Sequence, residues 1–383
     1  MGRGFKMRKR ILLSGGGTGG HIYPALAIAD ELKRRFPDAE IRFAGTKEGL
    51  ESQIVPQGGY QLELLRAAGI ERRFTFENII NLSQATSGLW DAYRLLKRFR
   101  PDVVIGTGGY VCGPLLFNAG LQKLPILLQE QNAILGVTNR LVQRFAGRIA
   151  LGAGEAVSGI SGDMRRVKVT GNPVRPEFFS ITRETARAKM GLKADEKLIV
   201  LAGGSRGARS LNHNSIELHR LVESNPNYRL IHATGSSQWE DMKQIFSDLG
   251  LPLESLNRKT IPYLENMPEV LRGADFIVSR AGALALAEIA VCGVPSLLIP
   301  YPHAAENHQE ANGKAFVRAG AAQLIVDREL TGPKMVEAVE KSISDSKKWL
   351  AMQASALTLG KPDATQMIAD LAVELIEGVD IDE

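Results

Sequence analysis

Ile11-Leu12-Leu13-Ser14-Gly15-Gly16-Gly17-Thr18-Gly19-Gly20-His21-Ile22-Tyr23-Pro24 is the stretch on which the fold turns. Three apolar residues of strand character run into a glycine turn, and a helical pattern follows. A parallel strand that opens through glycines onto a helix N-terminus gathers backbone N–H groups and the positive end of the helix dipole at one point, which suits an anion. The arrangement returns in the second half, where Leu198-Ile199-Val200-Leu201 leads into Gly203-Gly204-Ser205-Arg206-Gly207. Two such units in one chain predict an α/β protein of two Rossmann-like, doubly wound parallel-sheet domains facing each other across a cleft.

The remaining sequence alternates accordingly. Strands are predicted at 10–14, 40–44, 61–65, 102–106, 125–129, 148–151 and 167–170, with helices at 24–36, 89–99, 112–123 and 138–145. Pro24 is expected near a helix start, where its fixed φ is favourable. Gly171-Asn172-Pro173-Val174-Arg175-Pro176 breaks the pattern and is the natural linker, so the first domain is expected at 1–171 and the second at 172–361. In the second, strands are predicted at 197–202, 229–233, 259–261, 275–279, 296–300 and 323–326. Helices are predicted at 210–222, 238–249, 283–292 and 307–318, with a long helical stretch over 331–377 interrupted near Gly360-Lys361-Pro362.

Bulk composition sets limits. A chain of 383 residues with 44% hydrophobic and 23% charged content suits two globular domains, and a net charge of +5 does not argue for nucleic acid. Cys112 and Cys292 have no paired spacing, which excludes a cysteine-rich zinc site. No run approaches the ~20 apolar residues of a spanning helix, and Ile11–Leu13 is too short for a signal-peptide core, so a cytoplasmic, soluble or peripheral protein is expected. Basic Arg3, Lys6, Arg8, Lys9 and Arg10, together with Arg72-Arg73 and apolar Phe74, Phe76, Ile79 and Ile80, suit an anionic membrane surface.

Gly15, Gly17 and Gly20 satisfy a dinucleotide fingerprint, but the second strand ends Ala44-Gly45-Thr46-Lys47, without the acid that would hold a ribose. His21 stands where the positive end of a helix keeps an imidazole neutral and able to accept a proton. Thr107-Gly108-Gly109-Tyr110-Val111-Cys112-Gly113-Pro114 is a third glycine turn on the same predicted sheet edge, and Glu130-Gln131-Asn132 follows another strand into the same crevice. Glu130 is suited to orient a base or a hydroxyl, and Asn132 to bind a sugar amide. In the second half, Ser279-Arg280-Ala281-Gly282-Ala283 follows a strand. Gly282 would admit a phosphate, and Glu288 on the helix beyond would accept from ribose hydroxyls. His303, Glu306, Asn307, His308, Gln309 and Asn312 form a polar cluster fitted to a sugar. The one Asp-x-Asp, Asp380-Ile381-Asp382, lies in the last residues, so neither metal nor cofactor is expected; helix dipoles and Arg175 would meet the charge of a diphosphate.

These strings resemble, in order and over roughly residues 10–325, the MurG family of peptidoglycan glycosyltransferases: Gly16-Gly17-Thr18-Gly19-Gly20-His21, Gly108-Gly109-Tyr110-Val111, Glu130-Gln131-Asn132, Gly171-Asn172-Pro173-Val174-Arg175, Gly203-Gly204-Ser205 and Ser279-Arg280-Ala281-Gly282-Ala283-Leu284. The resemblance implies a GT-B fold whose final helix, 362–383, crosses back to complete the first domain. It implies transfer of N-acetylglucosamine from UDP-GlcNAc to the 4-hydroxyl of undecaprenyl-pyrophosphoryl-muramyl-pentapeptide (lipid I), with inversion, giving lipid II at the cytoplasmic face of the membrane. Thr18, Gly19, Gly20, Asn132, Arg175, Ser205, Leu264, Ala283, Leu284, Glu288 and Gln309 would then contact UDP-GlcNAc, with Glu288 on the ribose and Gln309 on the sugar hydroxyls. Gly16, Gly17, Gly108, Gly109 and Tyr110 would meet the acceptor pyrophosphate. Family members often carry histidine just before Glu-Gln-Asn; here Gln129 takes its place, which leaves His21 or Glu130 as the base. A UDP-GlcNAc 2-epimerase of the same fold, an NADP-linked oxidoreductase using Lys47, and a silent membrane-docked binding protein are the competing readings.

Overall fold

In the computed structural model, residues 8–66 and 77–379 are described, without the side chains of 77–86. Arg3, Lys6, Arg72, Arg73, Phe74, Phe76 and Asp380–Asp382, and the side chains of Ile79 and Ile80, lie outside that description. Two compact units emerge, Met1–Pro173 with Pro362–Glu383, and Val174–Lys361.

The first unit is built on seven parallel strands: β1 Arg10–Ser14, β2 Glu40–Gly45, β3 Gln61–Leu64, β4 Val103–Gly106, β5 Ile126–Glu130, β6 Arg148–Leu151 and β7 Val167–Val169, in spatial order β3-β2-β1-β4-β5-β6-β7. Strand alternation sorts the core. Leu12 joins Leu95, Leu96, Leu115 and Leu116 on one face, while Ile11 and Leu13 join Ile22, Ile28 and Leu32 on the other. Burial on both faces explains why β1 and β4 read as unbroken apolar runs. The Ala364–Glu377 helix belongs to the second face: Ile368, Ala369, Leu371 and Ala372 are buried there, and Arg148 Nε holds Glu374 Oε2 at 2.7 Å.

The second unit repeats the plan with β8 Lys197–Ala202, β9 Tyr228–Ala233, β10 Arg258–Ile261, β11 Phe276–Ser279, β12 Ser296–Leu298 and β13 Ala322–Leu324, in order β10-β9-β8-β11-β12-β13, again all parallel. Leu198 and Val200 face one cluster, Ile199 and Leu201 the other. Each sheet reverses its winding once, at β1/β4 and at β8/β11. The crevice beyond the strand ends at such a switch point is where a ligand binds in doubly wound folds.

Every strand predicted above is present, with shifts at the ends only. The helices differ more: the one expected at 89–99 runs over Glu77–Phe99, Glu51–Gln57, Arg183–Lys189 and Met267–Gly273 were not expected, and three further differences have a local cause. The first begins at Gly19, with Thr18 as N-cap and the His21 and Ile22 amides bonded to Thr18 O, so Pro24 stands inside the helix and His21 on its first turn. The expected 210–222 helix is two, Arg209–His213 and Ile216–Ser224. Asn214 Nδ2 donates to Ser210 O at 2.8 Å and Ser215 Oγ to Asn212 O at 2.7 Å, local bonds that compete with a continuous ladder. The stretch after 331 breaks a second time, before the Ser346–Leu359 helix, because Asp345 caps that helix through the amides of Lys347 and Lys348.

Candidate active site

In the first unit the loops after β1, β2, β4 and β5 meet at the switch point. Thr107 N donates to Ser14 O at 2.9 Å, and Thr107 Oγ1 to His21 O at 2.7 Å. A Cβ on Gly109 would stand 2.3 Å from Gly16 O, so only glycine lets these loops approach. His21 Nδ1 lies 3.0 Å from Thr107 O and 3.2 Å from Gln131 Oε1. Both partners are acceptors, which puts the hydrogen on Nδ1 and makes Nε2 the basic nitrogen of the neutral ring.

Behind His21 runs a chain of buried amides that sequence reasoning missed. Gln131 Nε2 donates to Thr107 O at 2.6 Å and to Gln129 Oε1; Gln129 Nε2 donates to Asn172 Oδ1 at 3.1 Å, and Asn172 Nδ2 to Gln131 O at 2.9 Å. Gln129 thus serves, through Gln131, to orient His21. Two glutamines closing a predicted strand, with the sheet's last linker asparagine, were the available signal.

Glu130 is placed differently from the expectation of a base. It is 1% exposed, and its two oxygens accept four hydrogen bonds, from Asn132 N at 3.0 Å, Asn132 Nδ2 at 3.1 Å, Gly136 N at 2.9 Å and Asn139 Nδ2 at 2.8 Å. A carboxylate so fully engaged shapes the 131–136 turn and presents Asn132. The pyrophosphate assignment shifts as well. Gly16 N points to Gly108 O at 3.4 Å and Gly17 N donates to Glu51 Oε2 at 3.0 Å, so neither amide faces a ligand. Tyr110 Oη pairs with Thr46 Oγ1 at 3.3 Å. Thr18 and Gly20 are exposed, Gly19 is partly so, and no acidic side chain stands in the first turn, so the start of this helix is the anion-facing element of the loop.

In the second unit a cavity of about 750 Å³ opens at the β8/β11 switch point. Arg175, Ser205, Leu264, Glu288 and Gln309 line it, together with Gly282 and Ala285. Ala283 and Leu284 occupy the first two positions of the Ala283–Cys292 helix, where amides lack intrahelical partners, and their side chains stay out of the wall. Thr18, Gly19, Gly20 and Asn132 lie in the other unit. Arg206, Arg209 and Arg280 were not assigned from sequence, yet they join Arg175 in giving the lining four guanidinium groups against two carboxylates, Glu288 and Asp327. That balance favours a dianionic diphosphate.

Arg280 is itself a strut: it donates to Ile299 O at 3.1 Å, Pro300 O at 3.2 Å, Asp327 Oδ1 at 2.5 Å and Ser210 Oγ at 3.0 Å. Arg175 Nε pairs with Glu288 Oε1 at 3.1 Å, so the proposed diphosphate and ribose contacts are already in touch. Burial pushes the Glu288 carboxyl above its ordinary value, against the opposing pull of Arg175. Gln309 Oε1 accepts from Tyr301 N at 3.0 Å, which orients its amide at the cavity edge. Among the described residues no group of three or more His, Cys, Asp or Glu is gathered to hold a metal ion.

Two doubly wound parallel sheets, each with an anion-facing loop at its switch point, give the chain the architecture of a GT-B protein, and the relatives below place it among the glycosyltransferases of that class. Residues 11–151 match the glycosyltransferase family 28 N-terminal domain and residues 198–368 its C-terminal domain. The UDP-N-acetylglucosamine--N-acetylmuramyl-(pentapeptide) pyrophosphoryl-undecaprenol N-acetylglucosamine transferase of Desulforamulus reducens is 43% identical over 356 residues, 93% of this chain and 95% of the relative. The crystal structure of Acinetobacter baumannii MurG superposes with a TM-score of 0.76 at 27% identity, covering 96% of this chain and 99% of that one. The chain belongs to this family of N-acetylglucosaminyltransferases. A UDP-GlcNAc 2-epimerase from Neisseria meningitidis, crystallised with UDP-GlcNAc, shares the fold at 15% identity and a TM-score of 0.67, over 96% of this chain and 100% of that one.

Proposed function

We propose that the chain transfers N-acetylglucosamine from UDP-GlcNAc to the 4-hydroxyl of lipid I, with inversion, forming lipid II. The second unit is the donor domain and the first the acceptor domain. The observation that carries this reading is the cavity at the β8/β11 switch point, whose lining brings four guanidinium groups and a helix N-terminus together with a partly buried carboxylate fitted to ribose, Glu288, and an amide fitted to the sugar, Gln309. The arginines and backbone dipoles hold the diphosphate and stabilise charge as it leaves. His21, with Nδ1 held by Thr107 O and Gln131, accepts the acceptor's 4-hydroxyl proton at Nε2. The oxygen then attacks the anomeric carbon, and the sugar–phosphate bond breaks with its electron pair going to UDP.

Docking at the cytoplasmic face of the membrane is supported by the Glu77–Phe99 helix. Trp90 and Tyr93 are 56% and 38% exposed and stacked at 5.7 Å, with Lys97 above the Tyr93 ring and Arg94 and Arg98 nearby on the helix. Aromatic rings beside cations suit the interface of an anionic bilayer. No described helix is long and apolar enough to cross a membrane.

The test is turnover of UDP-GlcNAc with a short-chain lipid I analogue, followed by chromatography of the disaccharide product. Absence of product refutes the reading. Conversion of UDP-GlcNAc to a 2-epimer without acceptor selects the epimerase, and saturable NADPH binding selects the oxidoreductase.

A further inference from the structure

We propose that Glu51 is the positioning residue of the acceptor loop, a carboxylate that sets the glycine turn by turning the Gly17 amide inward. Glu51 opens the Glu51–Gln57 helix and is 1% exposed. Its Oε2 accepts from Gly17 N at 3.0 Å, and its Oε1 accepts from Thr46 N at 3.0 Å and from the Thr46 hydroxyl at 2.7 Å. With that hydrogen spent, Thr46 Oγ1 is the acceptor for the Tyr110 hydroxyl at 3.3 Å. One carboxylate therefore ties together loops that follow β1, β2 and β4.

Sheet order makes this possible. β2 and β4 flank β1, so residues 17, 46 and 110 meet although the chain separates them widely. The surrounding backbone is shaped to the carboxylate. A Cβ on Gly49 would lie 2.3 Å from both oxygens, and one on Gly16 would lie 2.9 Å from the carboxyl carbon. At φ +83° the Gly17 peptide faces Glu51, and the exposed helix start at Thr18–Gly20 is left to face the ligand. Two oxygens against three donors is a pattern that an amide cannot reproduce, because its NH₂ would confront an N–H.

The inference rests on the reading that this loop meets the acceptor pyrophosphate. Glu51→Gln keeps shape and removes one acceptor face. Its acceptor kcat/KM should fall about ten-fold or more, chiefly through acceptor KM, the order expected when charge-assisted hydrogen bonds are lost. UDP affinity, set by the cavity of the second unit, should stay within about two-fold of wild type, a split that general loosening of the fold does not produce. Amide exchange provides a readout without substrate: protection at Gly17 should be lost in Glu51→Gln. If Glu51→Gln does not fold, Thr46→Val carries the test, with a smaller rise in acceptor KM expected. Unchanged acceptor KM in a folded variant, or retained Gly17 protection, overturns the proposal. Failure of the wild type to use any lipid acceptor refutes the functional reading instead, and the exchange experiment then still decides whether Glu51 sets the loop.

Discussion

Replacing Glu288 with alanine tests the donor site directly. The carboxylate is four-fifths covered, with side-chain exposure of 20%, and it holds Arg175, which is 49% exposed, at 3.1 Å. An ion pair with one partner so open contributes little, roughly 0–1 kcal/mol, so exchanging it for ligand contacts costs little. A buried carboxylate accepting from ribose hydroxyls forms hydrogen bonds to a charged group, each contributing ~1.5–3 kcal/mol. Even one such bond puts the loss in Glu288→Ala at ~1.5–3 kcal/mol, a rise in the Kd for UDP of at least roughly 10- to 150-fold. Isothermal titration of UDP against wild type and variant, each checked for an intact thermal transition, measures it. A further sign follows from the raised carboxyl. Acidification protonates Glu288 before an ordinary glutamate, so UDP affinity should fall with pH starting above the usual carboxylate range, and Glu288→Gln should remove that dependence. A folded Glu288→Ala protein with wild-type UDP affinity would refute the assignment of the ribose to this residue.

His21→Ala should lower kcat by ~10²–10⁴-fold, the range for loss of a general base, while UDP affinity is retained; near-normal kcat would assign proton transfer elsewhere. Glu130→Gln should act first on stability, because a buried acceptor of four donors is lost, and a lowered melting temperature separates this from a purely catalytic defect. Transfer should continue in EDTA, and loss of turnover that magnesium restores would assign the diphosphate charge to a cation. The buried pair His219–His232, joined at 3.0 Å, should make the second unit acid-sensitive. Arg258 Nη1 and Asn212 Oδ1 face the two rings, and burial lowers His232 to about 3 and His219 well below the ordinary value. Each histidine takes a proton more readily unfolded than folded, so this stability is full above pH ~6.5 and drains by ~1.4 kcal/mol per pH unit for His232 as pH falls toward 3. Urea unfolding at pH 7 and pH 5 reads it; equal free energies at the two pH values would show that the two rings take up protons as readily folded as unfolded.

What the sequence determined by itself was local. Apolar runs bounded by glycine place the strands, since burial on both faces leaves no polar position within them, and Ile11–Leu13 and Leu198–Leu201 are legible for that reason. Glycine turns at strand ends, and the order of motifs along the chain, locate both switch points and point to the family. The helix of 210–222 was misjudged because the side chains of Asn214 and Ser215 bond their own backbone, a competition that apolar periodicity does not register. Partners at long separation were beyond reach. No motif or periodicity marks Glu51, and only the placement of β1 between β2 and β4 brings it under Gly17. Gln129 closes a predicted strand and Gln131 follows it, but only the sheet sets them beside Asn172 and His21. Arg175 and Glu288, 113 residues apart, pair only once the second sheet has formed. Periodicity and turn chemistry act over a few residues, whereas the direction and partner of a buried polar side chain depend on which strands the sheet makes neighbours.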